Sequence, residues 1–201
     1  MDIERAIKNF KINNFDVSFF KTKEEATNYL VKELNGLVIG FGDSETLNEM
    51  KLYEKLSVNN KVIDPQHCEE GKDFLTTAKE CLTTDIFFTS VNGAGETGEL
   101  VNIDGTGNRI AGSLFGHKKV YFVFGTNKLK EDLGKAISRA SNIAAPENSI
   151  RHHYKNPCAL GEKKCYDCKS KTRICNAMTI YMKKMNNMEM EIIMIDEELG
   201  I

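Results

Sequence analysis

The sequence predicts an α/β protein built on an open, mostly parallel sheet flanked by helices, and three observations carry that expectation. Short runs such as Leu37–Phe41 and Val120–Phe124 are apolar at almost every position, the pattern of strands buried on both faces. The segments between such runs repeat apolar residues at helical spacing. Several of the runs end in loops rich in glycine and polar residues, and alternating strands and helices of this kind form a sheet whose ligands sit beyond the C-terminal strand ends.

The elements follow in order. Ile3, Ile7 and Phe10 mark a short amphipathic lead-in helix over residues 1–14, and Phe15–Phe20 reads as a strand. Thr22, with Glu25 three residues on, starts a second helix with the pattern of a capping box, and Asn35-Gly36 ends it. The strand 37–41 follows, then a helix over 45–57, a strand at 61–63 before Pro65, a helix over 69–82 and a strand over 85–91. Leu100–Ile103 is a short strand among glycines, 108–115 a short helix, 120–124 the most apolar strand and 130–143 a helix. Met178–Met182 and Met190–Ile195 close the chain as strands. With 201 residues, 41% of them hydrophobic, the chain suits a single domain over 1–201, with a cysteine-rich segment at 150–176 set between the last helix and the final strands.

The formal net charge of -2 gives no basic field of the kind that nucleic-acid binding uses. The charged start, Met1-Asp2-Ile3-Glu4-Arg5, does not read as a signal peptide, and no run reaches the roughly 18 apolar residues of a membrane span. A cytoplasmic protein with no nucleic-acid and no membrane partner is the expectation, and in that reducing compartment clustered cysteines read as metal or redox ligands before disulfides.

Three loops are candidates for a small-anion site. Gly40–Thr46 joins an apolar strand to a helix; Gly42, Ser44 and Thr46 offer backbone approach and hydrogen bonds to a phosphate or carboxylate, although Asp43 or Ser44 equally suits a plain helix cap. Asn92–Arg109 is mostly glycine and polar side chains. There Asn92, Thr97, Asp104, Asn108 and Arg109 are candidate ligand contacts, and Glu96 is a candidate acid, base or nucleophile; the alternative is a tight hairpin and a capped helix. In Gly125–Lys128, Asn127 and Lys128 follow the most apolar strand, where Lys128 either reaches an anion or is a solvated turn lysine. Of the histidines, only His152 or His153 has a suggested use, as an outer partner of a metal site.

Cys158, Cys165, Cys168 and Cys175 are spaced C-x6-C-x2-C-x6-C. Four thiolates satisfy tetrahedral zinc or an iron–sulfur cluster, and Lys163, Lys164, Lys169, Lys171 and Arg173 around them favour the thiolate. Free thiols or two disulfides are the alternatives. The spacing matches neither the common zinc ribbon nor the ferredoxin run, so it does not choose between the metals. Cys68 and Cys81 stand alone and read as ordinary cysteines.

The run Glu96-Thr97-Gly98-Glu99-Leu100-Val101-Asn102-Ile103-Asp104-Gly105-Thr106-Gly107-Asn108-Arg109 closely resembles the signature of the LUD-domain (lactate-utilisation) family. So do Gly125–Lys128, Ala144–Asn148, Pro157-Cys158 through Cys175-Asn176 and the closing Glu198-Leu199-Gly200, which resembles the short four-cysteine branch. Two positions depart from the family pattern: His117 for the usual proline, and Thr126 for an arginine, which removes a cation from that loop. The resemblance implies a fold like those of ribose-5-phosphate isomerase and CoA transferases, with a phosphate loop at Gly40–Thr46 and an acidic loop at Asn92–Glu99. It also implies work beside iron–sulfur subunits in the oxidation of lactate to pyruvate. Three functions follow. The first is an accessory or electron-transfer component of organic-acid utilisation with a redox partner protein. The second is a stand-alone enzyme on a phosphorylated or CoA-linked molecule, using Glu96. The third is a sensing or scaffold protein with structural zinc. The sequence does not decide whether the chain is itself an enzyme; a homodimer is expected by analogy with the fold.

Overall fold

The computed structural model describes residues 1–201. Its elements are α1 (Ile3–Ile12), β1 (Asp16–Phe20), α2 (Lys23–Glu33), β2 (Val38–Phe41), α3 (Glu45–Glu49), α4 (Leu52–Leu56), β3 (Lys61–Ile63), α5 (Phe74–Glu80), β4 (Ile86–Thr89), β5 (Gly93–Gly95), β6 (Leu100–Asp104), α6 (Asn108–Leu114), β7 (Lys119–Gly125), β8 (Leu129–Lys130), α7 (Leu133–Arg139), α8 (Ala145–Arg151), α9 (Pro157–Leu160), β9 (Ala177–Tyr181) and β10 (Glu189–Ile195). No helix is long and apolar enough to cross a membrane.

Six strands form one parallel sheet in the order β1-β10-β7-β4-β2-β3. Alternation along its central strands divides two cores. Val120, Phe122, Phe124, Met190, Ile192 and Met194 face α1 and the second sheet. Tyr121, Val123, Ile193, Ile195, Ile86 and Phe88 face α2, α3 and α4. Both faces being covered is why these strands read as unbroken apolar runs.

Four departures from the sequence reading have physical causes. A second sheet, β8-β5-β6-β9, is mixed, with β6 antiparallel to both β5 and β9; the stretch expected as loop over 91–99 and the turn after Lys128 supply its strands β5 and β8. Gly93 lets β5 lie against α7, since a Cβ there would strike the carbonyl of Ala136. The helix expected over 45–57 is two short ones, because Lys51 turns the chain with φ 53°. Residues 69–73 stay outside α5, which starts where Asp73 caps the Thr76 N–H at 2.8 Å. The helix expected to stop at 143 instead continues from α7 through a wide π turn at Ala140–Ala144 into α8. Pro146 lacks an N–H and crowds the carbonyl four residues back, and a local π turn accommodates both.

Candidate functional site

β2, β4 and β7 are neighbours in the sheet, so their C-terminal ends open side by side. The loops that leave them carry Asp43, Ser44 and Thr46, then Ser90 and Asn92, then Asn127 and Lys128. A cleft of about 50 Å³ lies between them, lined by Asp43, Ser44, Ser90, Arg109, Lys128 and Arg151 among others. A wider chamber of about 300 Å³ adjoins it, shares Asp43 and Arg109, and is lined by Phe74, Asn108, His152 and Tyr154. His152 and Tyr154 are stacked with centroids 5.4 Å apart.

Lys128 forms the floor of the inner cleft. Only 3% of it is exposed. Its Nζ donates to Thr46 Oγ1 at 3.0 Å and to Ser90 Oγ at 3.1 Å, and no carboxylate is paired with it. Burial, and then the guanidinium groups of Arg139 and Arg109, push its amine down to about 7. Arg139 is itself buried; it donates to the carbonyls of Asn127 and Asn92, and burial lowers it to about 10. Arg151 reaches the rim from α8, held by Glu45 and by Asn148 Oδ1 at 3.0 Å.

The other polar groups of these loops are spent on architecture. Asp104 accepts the N–H groups of Thr106, Gly107, Arg109 and Ile110 and so caps α6. Arg109 donates to the Ile103 carbonyl at 2.6 Å and lies 3.6 Å from Asp104. Asn92 accepts from the Ile103 N–H at 2.8 Å, and Asn127 from the Leu199 N–H at 3.3 Å. Ser44 caps the Leu47 N–H at 3.4 Å. Gly42 lets the chain pass Phe87 and Thr89 and does not line the cleft.

Glu96 and Thr97 lie outside the cleft, which corrects their expected place beside Arg109 and Lys128. Glu96 is 3% exposed. Its carboxylate accepts the Asp2 N–H at 2.8 Å at the start of α1 and pairs with Arg5 at 3.3 Å. Thr97 donates to Glu99. Asn9 and Asn13 hold the Glu96 and Gly98 carbonyls, so this turn fastens α1 to the domain. Held by the start of α1 and by Arg5, the Glu96 carboxylate does not reach the cleft.

Sequence reasoning missed Ser90, Arg139 and Arg151. A lone serine after a strand and arginines on a helix carry no signal until the fold turns them inward. His117 lies in the connection between α6 and β7 with its side chain turned inward: it is buried, stacked 5.0 Å from Phe87, with Nδ1 at 2.8 Å from the Thr84 carbonyl and Nε2 without a partner. The largest groove, about 830 Å³, opens at the other end of the sheet over Lys119 and Glu191. Those two pair at 2.7 Å, and Ser18 and Tyr29 also donate to Glu191, so this pair is satisfied internally, while Lys11, Asp16 and Lys184 line the same groove.

The four clustered cysteines are free thiols on one segment. The base of that segment is closed by Asn156, which donates to the Thr172 carbonyl at 2.9 Å and accepts from its hydroxyl at 2.8 Å. Arg173 ties the carbonyls of Cys168 and Cys175 at 2.7 and 3.0 Å. Burial first, and then the nearby Cys168 and Cys165, raise the Cys158 thiol. Burial also raises Cys175, against the opposing pull of Arg173. Burial therefore outweighs what the basic neighbours do for the thiolate at these two positions. The donor set suits zinc or a cluster, while no three Cys, His, Asp or Glu side chains are set to hold one ion. His152 belongs to the outer chamber rather than to the cysteines.

A doubly covered parallel sheet with a small polar cleft at three adjacent strand ends, lined by Asp43, Glu45, Arg109, Lys128 and Arg151, defines an α/β domain whose candidate site lies where such sheets hold ligands. The model of the LUD domain matches residues 3–195, and the chain belongs to the LUD-domain family. A solved structure described as a DUF162 family protein from Deinococcus radiodurans is similar at a TM-score of 0.55 and 11% identity, over 96% of this chain and 95% of that one. At that identity the likeness shows a shared fold. Comparison with curated proteins finds no match.

Proposed function

We propose that this LUD-domain protein binds a small carboxylate metabolite at the Lys128 cleft and serves organic-acid utilisation, with lactate and its oxidation product as the leading ligands. The observation that carries the reading is Lys128 itself: a buried amine, flanked by Arg109 and Arg139 and without a paired carboxylate. A ligand anion would supply the missing countercharge, which a buried cation needs. Size supports a small ligand. At roughly 10–15 Å³ of such volume per water, the 50 Å³ cleft has room for about four water-sized groups, close to a three-carbon acid. The outer chamber favours a second reading, in which a larger phosphorylated or CoA-linked molecule extends past Arg109 toward His152 and Tyr154; Glu96 would take no part in it.

Cys158, Cys165, Cys168 and Cys175 would hold zinc or an iron–sulfur cluster. A cluster would pass single electrons to a redox partner protein, whereas zinc would staple the segment. The cleft is tested by titration calorimetry with lactate, pyruvate, inorganic phosphate and a sugar phosphate, on the native protein and on Lys128→Met. Saturable binding of the small carboxylates that the variant loses supports the reading. Tighter binding of the sugar phosphate moves it to the larger ligand, and no binding of any of the four overturns it.

A further inference from the structure

Resting on the reading of the Lys128 cleft as a carboxylate site, we propose that Lys128 forms a reversible Schiff base with a small 2-oxo acid, making the protein a covalent carbonyl binder and not only an anion receptor. The geometry has the parts such chemistry needs. Lys128 Nζ opens on the cleft yet is sealed from bulk water. Its two partners are hydroxyls, Thr46 at 3.0 Å and Ser90 at 3.1 Å, which accept its N–H groups and can relay protons without forming an ion pair that would lock it as ammonium. Cationic neighbours and desolvation are the means by which an amine is kept nucleophilic near neutral pH, and Arg139 and Arg109 supply the first while burial supplies the second. Arg109 and Arg151 line the same cleft, although Arg109 holds the Ile103 carbonyl and Arg151 is paired with Glu45, so the ligand carboxylate would share them with those partners.

The step balances. The neutral amine attacks the keto carbon, a C–N bond forms, and the carbonyl electron pair moves to oxygen, which takes a proton. The carbinolamine then loses water and leaves a protonated imine. Counted from the ammonium form, two of its three protons depart with the keto oxygen as one water molecule. No oxidant or cofactor is required. A hydroxy acid such as lactate lacks the electrophilic carbon and binds without bond formation, so the cleft distinguishes a 2-hydroxy acid from its 2-oxo product by covalency.

The test is borohydride trapping of the full-length protein with pyruvate at pH 7, followed by peptide mass mapping, alongside calorimetry with pyruvate and lactate. The expected result is a reduced pyruvyl adduct concentrated at Lys128, at least about tenfold above any solvated lysine, absent with lactate and absent in Lys128→Arg, which keeps the charge but cannot form the imine. Lys128→Met serves as a second variant if arginine does not fit. Pyruvate binding without an adduct at Lys128, or an adduct spread evenly over surface lysines, overturns the covalent step and leaves the anion site standing. Neither binding nor adduct overturns both.

Discussion

Lys128 Nζ and Thr46 Oγ1 lie 3.0 Å apart, joining the turn after β7 to the helix after β2. The bond spans two crossovers of the sheet and places an amine where a charge is costly. Thr46 Oγ1 is also 3.2 Å from Ser90 Oγ, so the two hydroxyls can satisfy each other if the lysine is removed.

Lys128→Met is therefore expected to stabilise the protein while abolishing carboxylate binding. In the native state the amine titrates near 7, against 10.5 for a free lysine. Between those values the unfolded chain holds a proton that the native chain does not, so stability rises with pH across the window and the penalty is full below it. Urea unfolding should show the variant ahead at pH 7, with the advantage shrinking toward pH 10. An advantage independent of pH would refute the linkage.

Lactate, which cannot form an imine, should bind more weakly as pH rises above about 7, approaching tenfold per pH unit if its carboxylate requires the ammonium. Calorimetry at pH 8 in buffers of different ionisation enthalpy should register proton uptake. A flat pH profile would place the carboxylate on the arginines instead.

Glu96→Gln separates fastening from chemistry. Weakening the contacts to Arg5 and the Asp2 N–H should lower stability by about 1–2 kcal/mol and leave lactate affinity where it was. A large loss of affinity at unchanged stability would return Glu96 to the site.

His117 should govern part of the acid limb. Burial lowers it below its ordinary 6.5, so it stays neutral in the fold and charges on unfolding. The stability this contributes is complete above pH 6.5 and is lost as pH falls below that value. His117→Leu should be less sensitive to pH than the native protein between pH 6.5 and 5 in thermal melts.

Anaerobic protein analysed for iron, zinc and acid-labile sulfide should carry one of the two metals, and Cys168→Ser should release it. Iron with sulfide would direct attention to a redox partner; stoichiometric zinc without sulfide would make the segment a staple. Absence of both would remove the cysteines from the functional reading.

The parallel sheet was legible because its inner strands β2, β4, β7 and β10 are buried on both sides and show as apolar blocks. The strands β5 and β8 were not, since Gly93–Gly95 and Leu129–Lys130 have too few side chains to show a period. Ser44, Thr46, Arg109 and Lys128 could be picked out because they follow strand ends or lie in the glycine-rich stretch. Glu96 shared that local signal, and only the arrival of α1, nearly a hundred residues earlier in the chain, decides its partners. Arg139 and Arg151 become legible only once the helix that carries them is seen against the cleft.

That helix has a phase of its own. Arg139, Ala144, Asn148 and Arg151 follow one another by five, four and three residues, and the step of five is the π turn at Ala140–Ala144. An unbroken α-helix would rotate its second half by about 100° for that one residue, carrying Asn148 and Arg151 out of line with Arg139. The extra residue works as a gear tooth: forcing every residue there into plain α would turn Asn148 and Arg151 away from the cleft with all strands in register, whereas deleting one alanine and closing the π turn would bring them back into line with Arg139.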